Sequence, residues 1–295
     1  MNKISINNLM ISRSILAISM LITILFSNTH ALFPDYHISR LKNSAFGIEK
    51  INIFLYFDNV QIPFYICTTV LIIVIFGILP AITSILHFVI TFSMYNTMLV
   101  SEGGDQINMI LTLLIIPFCL NNIKLNGYKL SFISNNLFLK LNLLFIKIQM
   151  SIIYLQACIE KIYQKEWNNG TAMYYWFNDS LFGANIFFKT IFGFLFENNF
   201  SLFIITWSVI FLEFFLSLSI FMKQKNRYIF FCISFLFHFL IFLIHGLGTF
   251  FISMTAGLIL VYFNNTISFK ENIENIKTLI NFKTLKNDLY RENKF

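Results

Sequence analysis

The sequence predicts an all-α fold, a multi-pass transmembrane bundle of about eight helices with both chain ends in the cytoplasm. Apolar residues make up 57% of the 295 positions and charged residues 12%, whereas a soluble domain carries about 25% charge. The mean hydropathy is +0.71, and apolar stretches recur along nearly the whole chain. These observations exclude an ordinary soluble enzyme and favour one membrane-embedded unit.

Eight apolar segments are candidates for the roughly 20-residue helix that crosses a bilayer core. The first follows a basic flank, Lys3 and Arg13, and its long apolar run favours an uncleaved anchor over a cleaved signal peptide. The fourth and eighth segments are the shortest. The predicted spans are 9–27, 62–80, 83–100, 107–120, 141–163, 201–222, 228–247 and 249–263.

The distribution of Lys and Arg predicts how these spans are oriented. With the N-terminus in the cytoplasm, the inside segments carry fourteen Lys and Arg residues and the outside segments carry five, leaving aside two within the fifth span. This asymmetry follows the positive-inside rule. The net charge of +7 is then explained by orientation and by contact with anionic membrane lipid, and no nucleic-acid partner is expected.

The same orientation places the longer loops. Segments 28–61, 101–106 and 164–200 face outward, and the aromatic content of the last one suits a segment lying on the membrane surface. Residues 264–295 mix charge with Ile and Leu and are expected to form a cytoplasmic tail, either a short helix or partly disordered.

Ionisable side chains inside the fifth span are informative, because each must face a protein interior or a wet cavity. Gln149, Gln156 and Glu160 fall on one helical face, and Lys161 lies about 100° away from Glu160 around the helix. Neighbouring Glu and Lys side chains on one helix cannot face each other, so we expect each to meet a partner from another helix. The alternative is that Lys161 extends its ammonium to water.

The sixth and seventh spans carry further ionisable residues. Glu213 lies in the middle of the sixth span, and His238 and His245 lie seven residues apart on one face of the seventh. No ligand cluster accompanies the two histidines, so interhelical hydrogen bonding is favoured over a metal site. We expect Lys161, Glu213 and His238 to converge in one outward-facing polar cavity.

Two outer segments next to these spans combine turn-forming and polar residues. In the 101–106 loop, paired glycines permit a tight turn and Asp105 can cap the next helix, which leaves Gln106 unexplained. After the fifth span, Trp167 suits a membrane interface and Gly170 completes an Asn-Gly turn.

These segments also carry a resemblance to known families. The stretch from Tyr154 through Lys161 and Trp167 to Ala172 resembles the HTTM module, the membrane domain shared with vitamin K-dependent γ-carboxylase. In that module a helix ends in Lys, and Trp and then Gly follow, with Ala nearby. The match predicts an HTTM-like transmembrane domain over residues 1–263.

Further motifs are similar to the sporulation-delaying protein B (SdpB) family. They are the Gly-Gly-Asp-Gln loop, the Tyr-Tyr-Trp-Phe-Asn-Asp run that ends at Asp179, the mid-span Glu213 and the seventh-span His238. This resemblance implies a protein of the bacterial plasma membrane that is required for production of a secreted antimicrobial peptide of the bacteriocin type. The implied partners are the secreted peptide precursor and a small SdpA-like protein.

The resemblance also implies roles for individual residues. In the γ-carboxylase, the Lys that matches Lys161 is associated with deprotonating vitamin K hydroquinone, which makes Lys161 the first catalytic candidate. The other candidate catalytic residues are Glu160, Glu213 and His238. The candidate substrate-binding residues are Asp105, Gln106, Trp167 and Gly170.

Two other functions stay open at this point. A carboxylase-like or quinone-linked membrane enzyme would use Lys161 as a base, although the chain lacks the large lumenal domain with which the carboxylase binds its substrate. A peptide exporter or immunity protein would use Glu213 and His238 to relay protons or to bind peptide. The resemblance defines neither a cofactor nor whether the chain is an enzyme.

Overall fold

A computed structural model of the chain describes residues 4–44, 46–121, 125–129, 132–133 and 137–280. Two short strands, β1 (Ile4–Ser5) and β2 (Phe132–Ile133), pair antiparallel, and the other described elements are helical. The α-helices are α1 (Ile6–Phe26), α2 (Thr29–Leu32), α3 (Asp35–Ser44), α4 (Gln61–Ile75), α5 (Pro80–Thr97), α6 (Gly103–Leu120), α7 (Leu137–Tyr163), α8 (Lys165–Asn168), α9 (Ala172–Asn178), α10 (Ile186–Glu197), α11 (Asn199–Ser217), α12 (Gln224–His245), α13 (Gly248–Tyr262) and α14 (Phe269–Ile280). Short 3-10 helices cover Gly47–Ile51, Ile53–Leu55, Gly127–Lys129 and Leu218–Phe221.

All eight predicted spans fall on helices. Within the described residues, five helices are long and apolar enough to cross a membrane: α1, α6, α7, α12, and α11 with its 3-10 continuation to Phe221. Helices α4 and α13 are shorter, with 15 residues each, which corresponds to about 22 Å at 1.5 Å per residue. Among the described residues the all-α prediction is confirmed apart from the pairing of β1 with β2, while the number of crossings and the position of both chain ends stay predictions.

Three helix boundaries differ from the predicted spans for local reasons. The second span was expected over 62–80, but α4 ends before Gly77, which takes φ +67° and so adopts the left-handed conformation that stops a helix. Helix α5 begins at Pro80, because a proline ring is compatible with the first helical turn. Helix α6 begins at Gly103, before the predicted start at residue 107. Oδ2 of Asp105 accepts a 2.9 Å hydrogen bond from the backbone N–H of Glu102, and this bond caps the helix.

Helix α1 is packed into the bundle and held there by polar contacts. Leu9 and Leu16 are fully buried. Ser19 Oγ lies 2.9 Å from Ser253 Oγ on α13, and the amide of Asn108 on α6 donates to the carbonyl oxygen of Leu16 at 2.8 Å. Lipid tails are as apolar as leucine, so packing and interhelical hydrogen bonds of this kind hold membrane helices together.

Helix α1 also buries a cation. Arg13 was assigned to the basic flank of the first span, but the structure places it inside the bundle with 1% of its surface exposed. Its Nη2 donates to Oγ1 of Thr83 on α5 at 2.6 Å. In the part of the chain that the structure describes, Nε and Nη1 have no hydrogen-bond partner.

The segment after α13 packs onto the bundle rather than extending away from it. Oε2 of Glu271 accepts a 2.7 Å hydrogen bond from the backbone N–H of Ser268, and this bond caps α14. Ile276 is buried against Tyr228 of α12. The predicted tail therefore begins as a docked helix, and residues 281–295 lie outside the described residues.

The segment between α7 and α11, which the sequence predicts to be an outer segment, contains α8, α9 and α10. Helix α10 leaves large apolar side chains uncovered: Ile186 is 83% exposed, Phe187 63% and Phe194 66%. Apolar exposure of this extent suits a helix in contact with lipid at the membrane surface. The surface location of this segment stays a prediction.

Candidate functional site

A polar cavity of about 390 Å³ lies between α6, α7, α11, α12 and α13. It is at the end of the bundle where α6 begins and α7 ends, the end that the distribution of Lys and Arg places outside. Its polar lining consists of Gln106 from α6, Gln149, Tyr154, Gln156, Glu160 and Lys161 from α7, Glu213 from α11 and His238 from α12.

An ion pair between α7 and α11 forms one side of the cavity. Nζ of Lys161 lies 2.8 Å from Oε1 of Glu213, and the two side chains are 20% and 9% exposed. The second carboxylate oxygen, Oε2, is buried and has no hydrogen-bond partner among the described residues. The charges of Lys161 and Glu213 therefore compensate each other, while Oε2 of Glu213 remains as an acceptor without a donor among the described residues.

The Lys161 ammonium has a second contact. It lies 5.2 Å from the centroid of the Trp167 ring, within the range of a cation–π interaction. Trp167 is 7% exposed and packs against Cys158 and Ile210. These two contacts fix the position of Lys161, so the sequence alternative in which it only extends to water does not describe the structure.

A hydrogen-bonded group between α7 and α12 forms the deeper wall. The hydroxyl of Tyr154 lies 2.9 Å from Nε2 of His238 and 3.1 Å from Oγ of Ser234. The ring of Phe250 covers His238 edge-on, with 5.4 Å between ring centroids. Nδ1 of His238 is buried without a partner among the described residues.

The glutamine face predicted on α7 lines the same cavity. Gln149, Gln156 and Glu160 all contribute to its wall, as their spacing required. Nε2 of Gln156 donates to Oε1 of Glu160 at 2.8 Å. Gln106 reaches the cavity from the first turn of α6.

Three of the predicted site residues lie behind the cavity wall and make structural contacts there. Asp105 is 5% exposed and caps α6. Trp167 contacts the Lys161 ammonium through its ring face. Gly170 adopts φ +77°, and a Cβ at this position would lie 2.4 Å from the Phe203 ring, so the turn requires glycine. Their proposed roles in substrate binding rest on the resemblance alone.

Asp179, the last residue of the aromatic run, closes a turn after α9. Its Oδ1 accepts 2.8 Å hydrogen bonds from the backbone N–H groups of Leu181 and Phe182. These bonds favour the charged form and hold the pKa of the Asp179 carboxyl below its ordinary value. The residue therefore stabilises the outer segment.

The two histidines of α12 have different partners. Whereas His238 faces the cavity, Nδ1 of His245 lies 2.7 Å from the carbonyl oxygen of Phe182 in the outer segment. His238 therefore makes the interhelical hydrogen bond that the sequence favoured, with Tyr154 on α7. His245 instead contacts the turn between α9 and α10.

Another depression, of about 410 Å³, lies on the outer loop at His30, Asp35 and Asp58. Its carboxylate Asp58 is fully exposed and pairs with Lys42 at 2.9 Å. An exposed pair of this kind is screened by water. We therefore take the cavity at Lys161 as the candidate site, because Lys161, Glu213 and His238 converge there and the last two are buried.

Comparison with known proteins identifies the family. The chain is 34% identical over 239 residues to sporulation-delaying protein SdpB of Bacillus subtilis (strain 168), an alignment that covers 79% of this chain and 73% of that protein. The chain belongs to the SdpB family. It is also 26% identical over 273 residues to the uncharacterized protein YitO of the same organism, covering 88% of this chain and 86% of YitO.

Other comparisons give no match for this SdpB family member. No family model matches the chain, and no solved structure matches it. The likeness to the HTTM module therefore stays a prediction from the sequence.

Tyr154 and Ser234 are two residues of the site that were not expected from the sequence. Tyr154 lies seven residues before Lys161 on the same helical face, and that spacing is the signal by which it can be found. Ser234 has no comparable signal, because a serine in an apolar helix is common and its partner comes from another helix.

Proposed function

We propose that this chain is a multi-pass protein of the bacterial plasma membrane that is required for maturation of a secreted antimicrobial peptide. Membership of the SdpB family supports a role in a sporulation-delaying peptide pathway. The five apolar helices long enough to span a bilayer support the membrane location. In this proposal the precursor enters the cavity from outside, and a small SdpA-like protein acts with the chain.

The observation that carries the proposal is the ion pair of Lys161 with Glu213 inside the cavity. Two charges taken out of water are costly to keep, and their retention in an apolar bundle indicates a functional role. Lys161 keeps three N–H donors, of which the Glu213 bond at 2.8 Å uses one. The remaining donors are available to a carbonyl or carboxylate group of the precursor.

The same pair bears on the chemistry of Lys161. Nζ donates a 2.8 Å hydrogen bond to Oε1 of Glu213, so the group presents N–H donors to the cavity. A base must instead present its lone pair, so this geometry favours binding and orientation of the precursor. A carboxylase-like role needs a step in which Glu213 moves away or is neutralised.

The proposal is tested in a strain that carries the neighbouring genes, with mature peptide and precursor measured by mass spectrometry. Lys161→Ala is expected to lower the mature peptide at least tenfold while precursor accumulates. Lys161→Arg is expected to retain part of the activity, because a guanidinium keeps the charge. The matched control is Lys165→Ala, which removes an exposed lysine of α8 and is expected to leave maturation unchanged.

The two variants separate binding from base catalysis. A guanidinium does not deprotonate in a protein, so loss of maturation in both Lys161→Arg and Lys161→Ala, at wild-type membrane abundance, would favour the enzyme in which Lys161 is a base. Normal maturation in Lys161→Ala would contradict a functional role of the pair. A deletion strain that still secretes mature peptide, but is killed by it, would identify an immunity protein instead.

A further inference from the structure

We infer that the cavity binds an extended apolar segment of peptide and that the glutamines of α6 and α7 recognise its backbone. This inference rests on the proposed function, because it assigns to the precursor the segment that enters the cavity. It concerns Gln106, Gln149 and Gln156, which lie on the cavity wall.

The three glutamines differ in exposure: Gln106 and Gln156 are exposed, whereas Gln149 is half-buried and is costly to keep unless a ligand or water bonds it. Gln149 lies in the middle of an apolar helix and is only partly exposed, and a primary amide placed in an apolar environment without partners costs several kcal/mol in the least favourable case. Among the described residues, neither Gln149 nor Gln106 has a side-chain hydrogen bond, whereas Gln156 is bonded only to Glu160. The amides therefore face the cavity with unused bonding capacity.

The type of bonding capacity indicates the class of ligand. A glutamine amide offers two donors and a carbonyl acceptor side by side. The complementary group presents a donor and an acceptor side by side, as the N–H and C=O of a single residue do in an extended backbone. Glu213 adds a further acceptor through Oε2, which is buried without a partner among the described residues.

The spacing of the glutamines fits an extended chain. Gln149 and Gln156 are seven residues apart on α7, which separates them by about 10 Å along the helix axis. A three-residue segment of extended peptide has about this length, at 3.2–3.4 Å per residue. The two amides can therefore bond the backbone at both ends of one such segment lying along α7.

The rest of the cavity favours apolar side chains on that segment. Ile107 and Ile110 of α6, Ile153 of α7, and Phe250 and Met254 of α13 line the wall between the polar groups. A volume of about 390 Å³ is at the lower end of the range for ligand pockets. The site thus suits a short apolar stretch of the precursor.

The inference is tested with purified full-length protein in detergent and two synthetic probes. The first is an apolar pentapeptide, biotinyl-Leu-Val-Ala-Leu-Val-amide, with a photoreactive diazirine in one leucine. The second has the same side chains but N-methyl groups on the backbone nitrogens, which removes the N–H donors. We expect photo-crosslinking of the first probe to cavity residues, and at least tenfold weaker competition by the second.

Variants connect this binding to the glutamines. Gln149→Met and Gln156→Met keep the side-chain length while removing the amide, and each is expected to reduce crosslinking at least fivefold. The control Gln164→Met alters an exposed residue after α7 and is expected to crosslink as the wild type does. Size-exclusion profiles identify a variant that fails to fold, in which case the probe comparison on wild-type protein decides alone.

The outcomes separate this inference from the proposed function. Equal competition by the N-methylated peptide, or absence of crosslinking in the cavity, would overturn recognition of the backbone even if the chain is required for maturation in cells. Conversely, a deletion strain that still matures the peptide would contradict the proposed function, whatever the purified protein binds.

Discussion

Lys161 on α7 and Glu213 on α11 face each other across the cavity with 2.8 Å between Nζ and Oε1. Both residues bring a charge into an apolar bundle, and each of these two charges is compensated because the other helix packs beside it. The pair thus connects the packing of α7 on α11 to the electrostatics of the site. A change at either residue affects both.

The first prediction concerns the stability of this pair. Lys161→Met and Glu213→Leu each leave one partly buried charge without its partner and are expected to lower the free energy of unfolding by about 3 kcal/mol. The double variant is expected to lose less than the sum of the two, because it leaves no uncompensated charge. Thermal unfolding in detergent is measured for the two single variants and for the double variant.

The control for the ion pair is a second pair of nearly equal length. Lys42 and Asp58 are 2.9 Å apart, but Asp58 is fully exposed. Lys42→Met is expected to cost less than about 1 kcal/mol, because water screens an exposed pair. Equal losses in the free energy of unfolding for Lys42→Met and Lys161→Met would contradict the claim that burial makes the Lys161 pair more stabilising.

The second prediction concerns Tyr154. Tyr154→Phe removes the hydroxyl that bonds His238 and Ser234. These two buried groups then lack a hydrogen-bond partner, so the free energy of unfolding is expected to fall by about 1–3 kcal/mol. The matched variant Tyr175→Phe changes a 60% exposed tyrosine of α9 and is expected to have little effect. Thermal unfolding that does not distinguish the two variants would show that the hydroxyl of Tyr154 contributes nothing to stability.

The helices and the polar face of α7 can be predicted from the sequence, whereas the residues that contact this face from other helices cannot. The position of a helix and the residues on one of its faces depend on a single segment of the sequence. An apolar run therefore locates α7, and the spacing of seven residues places Gln149 and Gln156 on one face of it. The partner of Lys161 depends on how α7 and α11 are rotated against each other. Arg13 shows the same limit: its position near the start of a span suggested an exposed flank, and packing against α5 buried it.

The third prediction concerns the orientation of the chain, which rests on the positive-inside rule. The native cysteines are buried or half-buried and are replaced by Ala. In whole cells, a membrane-impermeant maleimide is then expected to react with single cysteines introduced by Asp58→Cys and Asn169→Cys. Asn226→Cys is expected to react only after the cells are permeabilised. The opposite labelling pattern would show that the topology is inverted and that the cavity opens to the cytoplasm.

The fourth prediction tests the close approach of α6 and α13 beside the cavity. A Cβ at Gly104 would lie 2.6 Å from Cα of Phe250, a backbone atom that cannot move without shifting α13. Gly104→Ala is therefore expected to destabilise the protein by about 1–3 kcal/mol, as overpacking does.

The control for Gly104 is a glycine with free space around it. A Cβ at Gly193 in α10 would meet no atom within 4 Å, so Gly193→Ala is expected to be neutral or to stabilise the helix by up to about 1 kcal/mol. Both variants are compared by thermal unfolding and by mature peptide in cells. Because Phe250 lines the cavity, Gly104→Ala is also expected to lower maturation. Unchanged stability and maturation would show that α6 and α13 are not held this closely in the membrane.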